Sequence, residues 1–598
     1  MTDILSRRDL QFLLYEWLET ERLTDRPRFA DQSRDDYDDI LELAERVATD
    51  RFAPHNSKAD ANEPHLDEDG KVVLIPEVAE ALGVFGESGL LAASMPEEVG
   101  GMNLPYTITS AIFSWLHASN VGTAAYPMLT AGATNLLIAN GSQEQIDSWV
   151  APMIEGRFFG TMCLSETQAG SSLSDVSTKA RPQDDGTWRI TGNKMWISGG
   201  EHELSENIVH LVLAKLPDAP PGVKGISLFI VPKFLLNEDG SIGERNDVVL
   251  AGLNHKMGFR GTVNTVLGFG EGEFEPGGEA GAVGYLIGEP NKGLSYMFHM
   301  MNEARISVGL GATGLGYTGY LKSVAYARER PQGRPLASKN PVDSQVPIVE
   351  HTDVKRMLLA QKSYVEGSLG LNLFCASLVD EQETAESDAD RQRAALLLEI
   401  LTPIAKSWPA QWCLEANSLA IQVHGGYGYA REYGVEQLYR DNRLNAIHEG
   451  THGIQALDLL GRKVTMKGGA AFGALYELIS GTAGRASGEG AEAAELGELL
   501  LASLNRLGEV TAKLWEGRDP EVALANASVY LEAAGHIVIA WSWLEQYLAA
   551  GDSDDDFYQG KRQAARYFFR FELPKTAPQL DLLASLDRTT LDMQDAWF

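Results

Sequence analysis

The sequence predicts a multidomain α+β protein in which a helical domain, a β domain and two further helical segments follow one another along the chain. The 598 residues exceed what one ordinary hydrophobic core accommodates, so several domains are expected. Apolar residues recur at helical spacing on both sides of a central stretch of short β-type runs. Hydrophobic residues make up 44% of the chain and charged residues 22%, which is the balance of a globular protein.

Residues 1–35 are predicted to form an N-terminal helical arm. Ser6 can cap the helix from three positions before Asp9, and residues 22–35 are polar with a proline, which indicates a linker. Acidic residues interrupt the apolar positions, unlike the apolar run of a signal peptide. We therefore expect the arm to dock on the rest of the protein. Its apolar positions at helical spacing are Leu10, Leu13, Leu14, Trp17 and Leu18.

Residues 36–160 are predicted to form an N-terminal α domain and residues 161–289 a compact β domain. In the first, one helical stripe runs from Ile40 to Ala48. The second contains runs rich in β-branched and aromatic residues, separated by turns with Gly, Pro and Asn. These runs are Trp188–Thr191, Ile208–Leu213, Ile226–Val231 and Asp247–Leu250.

Helical patterns resume after the β domain, and residues 290–466 are predicted to form a C-terminal helical bundle. Residues 467–598 are expected to form an additional helical domain. Lys467-Gly-Gly and the stretch 481–490 have the composition of a flexible joint between the two. Five glycines within one helical pattern indicate that helices approach closely there; they are Gly309, Gly311, Gly314, Gly316 and Gly319.

The composition excludes several classes of partner. A net charge of -33 repels nucleic acid phosphates and anionic lipid surfaces, so neither is an expected partner. No uncharged apolar stretch reaches the roughly 18 residues of a bilayer span, so no membrane span is expected. Cys163, Cys375 and Cys413 are too few and too scattered for a disulfide framework or a metal cluster, and they fit a reducing, cytoplasmic location.

Five strings occur in a fixed order along the chain. They are CLSETQAGSSLS (163–174), GNKMWISGG (192–200), MGFRGT (257–262), IQVHGGYGYAREY (421–433) and HEGTHGIQ (448–455). Through these strings, residues 36–466 resemble the acyl-CoA dehydrogenase family, and the arm and C-terminal extension resemble its larger bacterial branch, with fatty acyl-CoA and 3-methylmercaptopropionyl-CoA dehydrogenases. The resemblance implies that the β domain is a barrel and that the cofactor is FAD.

The resemblance also implies the cofactor and substrate contacts. Small and hydroxylated residues between 165 and 171 allow a backbone to approach a flat ring edge, although the family usually has Pro-Gly where this chain has Thr167-Gln168. Leu164, Ser165, Trp196 and Ser198 are expected to contact the flavin, with Gly170 and Ser171 close by and Ser171 also near substrate. Arg330, Gln422, Gly426 and Thr451 are expected at the phosphate and ribose of FAD or beside the flavin, Arg330 from a neighbouring subunit, and Asn302 and Arg305 at the CoA.

Glu449 is the residue that the resemblance assigns as the catalytic base. The α-proton of an acyl-CoA is only weakly acidic, and a carboxylate in water is a poor base for it. Burial raises the pKa of a carboxylate and makes it a stronger base, provided that it is ionised when substrate arrives. The family usually has tyrosine where this chain has His448, which changes the surroundings of the base or the shape of the substrate site.

The same stretch fits the zinc-protease motif H-E-x-x-H between His448 and His452. That motif requires a regular helix, and Gly450 within it costs about 1 kcal/mol of helix propensity. The longer form of the motif requires a glycine and a third ligand where this chain has Gln455 and Asp458. We therefore expect no metal site.

The predicted reaction is oxidation of an acyl-CoA to a trans-2-enoyl-CoA in fatty acid β-oxidation. The resemblance implies an electron-transferring flavoprotein as acceptor and a homo-oligomer, either a dimer or a dimer of dimers. One alternative is a 3-methylmercaptopropionyl-CoA dehydrogenase, and another is an acyl-CoA oxidase on the same scaffold. The DNA-associated branch of the family is opposed by the charge of -33 and by the presence of Glu449.

Overall fold

The computed structural model describes residues 4–338 and 340–598, apart from the side chains of residues 298–301. The chain divides into two compact units. We call Asp35–Ala304 the central unit, and Met1–Arg34 together with Arg305–Phe598 the composite unit. The predicted order of helical, β and helical domains, with an additional C-terminal helical domain, is confirmed.

The N-terminal arm packs into the composite unit as the sequence predicted. Helix α1 (Arg7–Gln11) is capped by the Ser6 side chain, which accepts a hydrogen bond from the backbone of Asp9, and it continues as a π-helix over Phe12–Trp17. The expectation of a linker is wrong. Short 3-10 helices follow at Thr20–Asp25 and Pro27–Phe29, because Leu23 and Phe29 are buried and anchor them.

The helices of the central unit surround one long buried helix, α5. Its side chains are buried on nearly every face up to Leu137, which is why its sequence carries little helical alternation. Asn120 interrupts the helical dihedrals and donates to the Phe52 carbonyl at 3.1 Å. The elements in chain order are α2 (Arg34–Val47), α3 (Asn56–Ala61), β1 (His65–Leu66), β2 (Val72–Val73), α4 (Pro76–Glu87), α5 (Tyr106–Asn140), α6 (Gln143–Gln145) and α7 (Ala151–Ile154).

The β domain within the central unit closes on itself. Its strands are β3 (Phe158–Cys163), β4 (Lys179–Pro182), β5 (Trp188–Ser198), β6 (Asn207–Lys215), β7 (Ile226–Pro232), β8 (Phe234–Leu236), β9 (Ile242–Arg245), β10 (Val248–Leu253), β11 (Asn264–Phe269) and β12 (Ala282–Leu286). The main sheet runs β10-β11-β5-β12-β7-β6-β3, and β4 pairs with both β5 and β6. The path β5-β12-β7-β6-β4 therefore returns to β5, which confirms the barrel.

The barrel core explains the sequence texture of its strands. Strands β6 and β7 are buried along almost their whole length, so they read as continuous apolar runs and not as alternating ones. Their antiparallel register places Leu211 opposite Ile230, while β3 runs parallel to β6. Ile190, Val212, Phe229 and Leu267 belong to one core cluster of the domain.

The bundle of the composite unit contains α8 (Gly293–Glu329), α9 (Thr352–Thr384), α10 (Asp388–His424), α11 (Val435–Asn442) and α12 (His452–Asp458). The first residues of α8, up to Ala304, belong to the central unit. The predicted close helix approach is confirmed at Gly309 and Gly316. A Cβ on Gly309 would lie 2.1 Å from the Ala405 carbonyl oxygen, and one on Gly316 would lie 2.7 Å from the Cys413 Cβ. Glycine thus allows α8 and α10 to touch along their backbones.

Most of the C-terminal extension is helical. The expectation of a flexible joint at 481–490 is wrong. Helix α13 runs through Gly481 and Gly484, because Thr482, Ala483 and Ala486 are buried. The break lies earlier, at Lys467, Gly468 and Gly469, which all have positive φ. The helices are α13 (Ala470–Ala486), α14 (Ala491–Glu516), α15 (Pro520–Leu524), α16 (Ala527–Ala550), α17 (Asp556–Tyr567), α18 (Thr576–Ala584) and α19 (Thr589–Asp592).

A buried ionic cluster joins the arm to the extension. Lys561 on α17 is fully buried and pairs with Asp9 of α1 and, at 2.9 Å, with Glu366 of α9. The Tyr317 hydroxyl donates to the other Asp9 oxygen at 2.9 Å, and Gln546 accepts from Lys561 at 2.9 Å. We call these residues the arm cluster. In the described parts of the chain, no helix has the length and apolarity needed to cross a membrane.

Candidate functional site

Glu449 lies in a tight turn directly before α12. Glu449 has φ +51° and Gly450 has φ +88°, two successive residues in the left-handed region. The turn is held from both sides: Lys406 Nζ donates to the Gly450 carbonyl at 2.6 Å, and Gln455 Nε2 donates to the Glu449 carbonyl at 3.0 Å. Thr451 then caps α12 by accepting from the backbone of its third residue. A strained residue held this firmly is typical of a functional site.

The Glu449 carboxyl is half-buried, and its surroundings set its acidity. Burial raises the pKa of Glu449, while the positive charges of Lys406 and Arg305 act in the opposite direction. Burial lowers the pKa of Lys406 to about 8, against the opposing effect of the Glu449 carboxylate. The carboxyl is therefore a stronger base than one in water, with a lysine beside it that favours its ionised form.

His448 is connected to the bundle through a series of asparagine side chains. His448 Nε2 lies 2.9 Å from Asn445 Oδ1, Asn445 donates to Asn442 Oδ1 at 3.0 Å, and Asn442 donates to Asn417 Oδ1 at 2.7 Å. The three asparagines are buried. This series fixes the orientation of the imidazole that directly precedes the candidate base in the chain.

The structure opposes the zinc-protease alternative. Helix α12 begins only at His452, and Thr451 is its N-cap, so His448 precedes the helix. The positive φ of Glu449 and Gly450 breaks the helical repeat that would place both imidazoles on one face. Burial lowers the pKa of His452 to about 4. Within residues 4–338 and 340–598, no three His, Cys, Asp or Glu side chains are grouped to hold a metal ion.

Trp196 in the central unit is turned out of its strand by a bulge. On β5, Ile197 pairs with Thr265 and Met195 pairs with the next residue, Val266, so Trp196 has no partner in the ladder. Its φ is +63°, and 57% of its surface is exposed. A large aromatic ring held outward at a strained position presents a flat face for stacking.

A buried ion pair between Glu166 and Lys194 fixes the loop after β3 to strand β5, which carries Trp196. Glu166 and Lys194 are both buried, with Nζ and Oε1 2.9 Å apart, and Lys194 also donates to the Leu164 carbonyl at 3.1 Å. The backbone and hydroxyl groups of Ser177 and Thr178 donate to the same carboxylate. Burial opposes ionisation, but Lys194 and these donors hold the pKa of Glu166 well below its ordinary value. This pair could not be predicted from the sequence, because 28 positions separate the two residues along the chain.

Other candidate residues of the central unit lie on the loop after β3 or at the end of β5. The Ser165 carbonyl accepts from the backbone of β5 at 2.9 Å, which ties the loop beside Trp196. Ser198 accepts from Asn264 Nδ2 at 3.1 Å. Gly170 and Ser171 are exposed, and a Cβ on Gly170 would meet nothing within 4 Å. This part of the loop is open to an approaching ligand.

In the composite unit, the structure places Arg330 against the IQVHGGYGYAREY string, at Tyr427. The Arg330 guanidinium lies over the Tyr427 ring at 5.5 Å. Gln422 and Gly426 are exposed, and a Cβ on Gly425 or Gly426 would meet no atom within 4 Å. An open glycine turn beside a cation can accept a phosphate-bearing ligand.

Asn302 and Arg305 occupy different surroundings. Asn302 is half-buried in the central unit. Arg305 is only 4% exposed in the composite unit, and its Nη1 donates to Asp458 at 2.8 Å. Its charge acts on Glu449, as described above, and its guanidinium is already paired within the protein. Its assignment to CoA stays a prediction.

The residues present fit FAD. An outward tryptophan with a strained backbone, an open loop around Gly170 and an open turn at Gly425–Gly426 each leave space and suitable groups for a planar ring or a diphosphate. Glu449 supplies a carboxylate with a raised pKa. These features suit a flavin nucleotide and an acyl thioester.

Comparisons with known proteins match each domain of the chain to a family model. Three domain models of the acyl-CoA dehydrogenase family match: the N-terminal domain at residues 34–157, the middle domain at 161–269 and the C-terminal domain at 291–464. A fourth, described as acetyl-CoA dehydrogenase C-terminal like, matches residues 475–594. The extension therefore corresponds to a domain found in relatives.

Individual relatives extend over nearly the whole chain. The 3-methylmercaptopropionyl-CoA dehydrogenase of Ruegeria pomeroyi is 38% identical over 94% of this chain and 94% of its own. A butyryl-CoA dehydrogenase of Syntrophomonas wolfei is 32% identical over 98% of this chain and 97% of its own. A solved acyl-CoA dehydrogenase from Bacillus anthracis, complexed with FAD, shares the fold with a TM-score of 0.68 and 21% identity, covering 95% of this chain and 90% of that chain.

These findings define the class of protein as an FAD-dependent oxidoreductase acting on acyl thioesters. The chain belongs to the acyl-CoA dehydrogenase family.

Proposed function

We propose that this chain converts an acyl-CoA to the trans-2-enoyl-CoA, with Glu449 removing the α-proton. The observation that supports this most directly is the Glu449 turn. A half-buried carboxyl with a raised pKa stands at two successive left-handed residues that Lys406 and Gln455 hold in place. A base for a weakly acidic carbon acid needs this combination of basicity and fixed position.

The protein's own groups perform the proton transfer. Burial makes Glu449 a stronger base, and Lys406 and Arg305 keep part of its population ionised before substrate arrives. Hydrogen bonds to the thioester carbonyl stabilise the developing enolate. When bound, FAD accepts the β-hydrogen as a hydride, which no side chain can do. Leu164, Ser165, Trp196 and Ser198 would hold its ring, with Gly170 and Ser171 nearby, and Arg330, Gln422, Gly426 and Thr451 would hold its remaining parts.

We propose a fatty acyl-CoA of β-oxidation as substrate, with 3-methylmercaptopropionyl-CoA as the second candidate. The second is favoured by the 38% identity, over 94% of both chains, to an enzyme named for it. Both substrates carry hydrogens on the α and β carbons, so both suit the same base. Asn302, Arg305 and Ser171 are the proposed substrate contacts.

The experiment is anaerobic reduction of the purified protein by a panel of acyl-CoAs. Butyryl-, octanoyl-, palmitoyl- and 3-methylmercaptopropionyl-CoA are mixed with wild type and with Glu449→Gln, and flavin absorbance is followed. We expect one panel member to bleach the wild type and none to bleach the variant beyond about a thousandth of that rate. Equal bleaching of both proteins would refute the role of Glu449, and the fastest panel member identifies the substrate class.

We propose that an electron-transferring flavoprotein reoxidises the enzyme. Reduced enzyme is mixed with air-saturated buffer or with that acceptor under nitrogen. Faster reoxidation by the flavoprotein supports a dehydrogenase. Rapid reaction with oxygen and formation of hydrogen peroxide would instead establish the acyl-CoA oxidase alternative.

We propose a homodimer, or a dimer of dimers, in which Arg330 serves the FAD of its neighbour. Glu449→Gln and Arg330→Ala are each expected to be inactive. In a mixed dimer, the Arg330→Ala chain keeps its base and receives Arg330 from its partner, so one of the two sites regains activity. The two variants are co-expressed to form the mixed dimer. An inactive mixed dimer, or a monomeric mass measured by light scattering, would contradict the shared site.

A further inference from the structure

We propose that Lys406 is a positioning residue for the base: its ammonium group fixes the Gly450 carbonyl and supplies the positive charge that keeps the Glu449 carboxylate ionised. This inference rests on the proposed role of Glu449. Lys406 lies outside the string that contains Glu449, more than forty positions earlier, on α10.

The geometry of α10 places Lys406 at the turn. Pro403 and Pro409 both lie inside this helix, on either side of Lys406. Each proline removes one backbone donor from the helix around Lys406. The Lys406 side chain is fully buried, and its Nζ lies 2.6 Å from the Gly450 carbonyl oxygen. This bond crosses from α10 to the left-handed residue that follows Glu449.

The charge of Lys406 distinguishes it from the other buried cations nearby. Arg305 pairs with Asp458, and Lys463 pairs with Glu399. Among the described residues, Lys406 enters no ion pair, and the carboxylate whose charge acts on it is Glu449. Leaving a buried ammonium group without a closely paired carboxylate costs several kcal/mol. A structural clamp alone would not need that charge, because a neutral donor can bond a carbonyl.

The charged and titratable groups that face this position define the direction of the effect. Among the described residues they are Glu449 itself, Arg305 from α8, His452 from α12, and His448, which directly precedes the base. His452 is neutral at physiological pH because burial lowers its pKa to about 4. Without Lys406, burial raises the pKa of Glu449 with only Arg305 opposing it. A larger fraction of the enzyme then carries a protonated, inactive Glu449 at neutral pH.

The experiment measures proton abstraction separately from oxidation. Holoenzyme is incubated in D2O with an acyl-CoA whose β-carbon is replaced by sulfur, which has no hydride to lose, and α-deuterium incorporation is followed by mass spectrometry from pH 5 to 9. The variants are Lys406→Met, Lys406→Gln and Lys406→Arg. Lys463→Met is the matched control, a buried lysine of the same bundle whose partner is Glu399. Bound FAD and thermal melting are recorded for each protein.

In a plot of the exchange rate against pH, we expect Lys406→Met to shift the acidic limb to higher pH by at least about one unit. At a pH on the steep part of that limb, exchange should be about tenfold slower than in the wild type. Lys406→Arg should keep the wild-type limb, and Lys463→Met should not move it. If Lys406→Met fails to fold, Lys406→Gln carries the test, since it keeps a polar group without charge. A folded, FAD-loaded Met or Gln variant with the wild-type limb overturns the inference. Exchange that persists in Glu449→Gln overturns the proposed base instead, a distinct outcome.

Discussion

Replacing Lys561 with methionine tests whether the arm cluster holds the two ends of the chain together. In the wild type, the fully buried Lys561 pairs with Asp9 and Glu366, whose side chains are 1% and 3% exposed. Methionine has a similar volume but no charge. It leaves two carboxylates in a buried site, with Lys362 still paired to Glu366. Removing one partner of a buried pair in this way costs about 3–5 kcal/mol.

The assay is guanidinium unfolding followed by tryptophan fluorescence, since Trp17 of the arm stacks on Phe374 and meets Trp541 edge-on. The transition that reports on these tryptophans should move to lower denaturant. Lys362→Met is the matched control, because its side chain is 19% exposed and Glu366 keeps Lys561, so it should cost about 1 kcal/mol or less. The double variant Lys561→Met with Asp9→Asn should recover most of the loss, because residue 9 is then neutral and Glu366 keeps Lys362 as its partner. A loss below about 1 kcal/mol in Lys561→Met would refute the reasoning.

Three further predictions concern the site and the core. Trp196→Ala removes a half-exposed indole and should weaken FAD binding at least about tenfold in titrations of apoprotein, with little change in melting temperature; unchanged affinity would argue against ring contact. Glu166→Gln leaves buried Lys194 without its carboxylate and should destabilise the protein by about 3–5 kcal/mol in urea unfolding, a value that a neutral result would exclude. Gly309→Ala, whose Cβ would lie 2.1 Å from a backbone carbonyl, should cost about 1–3 kcal/mol or more, whereas Gly473→Ala, with open space around it, should gain up to about 1 kcal/mol; equal melting temperatures for the two would contradict the packing argument.

The order of the domains could be predicted from the sequence. The structure of two segments could not, because their local composition is polar or rich in glycine while their structure is ordered. Apolar periodicity distinguishes helices from strands, so the α, β, α order was predictable. The stretch 481–490 was expected to be a joint, yet it lies largely in α13, because Ala483 and Ala486 find a packing surface that composition cannot show. The polar segment after the arm was expected to be a linker, and buried Leu23 and Phe29 order it.

The candidate site was predictable where neighbouring residues form a recognisable string. Glu449 stood out in HEGTHGIQ, and its assignment stays a prediction that the geometry supports. Lys406 was missed, because one lysine in an apolar helix does not reveal which distant turn it will face. The bulge at Trp196 was also invisible, since its positive φ depends on the pairing of β5 with β11.

The arm cluster has a consequence for how the chain is made. Asp9 leaves the ribosome early, whereas Lys561, its buried counter-charge, is synthesised more than 500 residues later. Asp9 and the apolar side chains of the arm therefore have no contact with α17 until that helix has been synthesised. Contacts of such long sequence separation form late in folding. A nascent or truncated chain that lacks α17 leaves Phe12 without the rings of Phe557 and Tyr558 that pack against it in the finished protein.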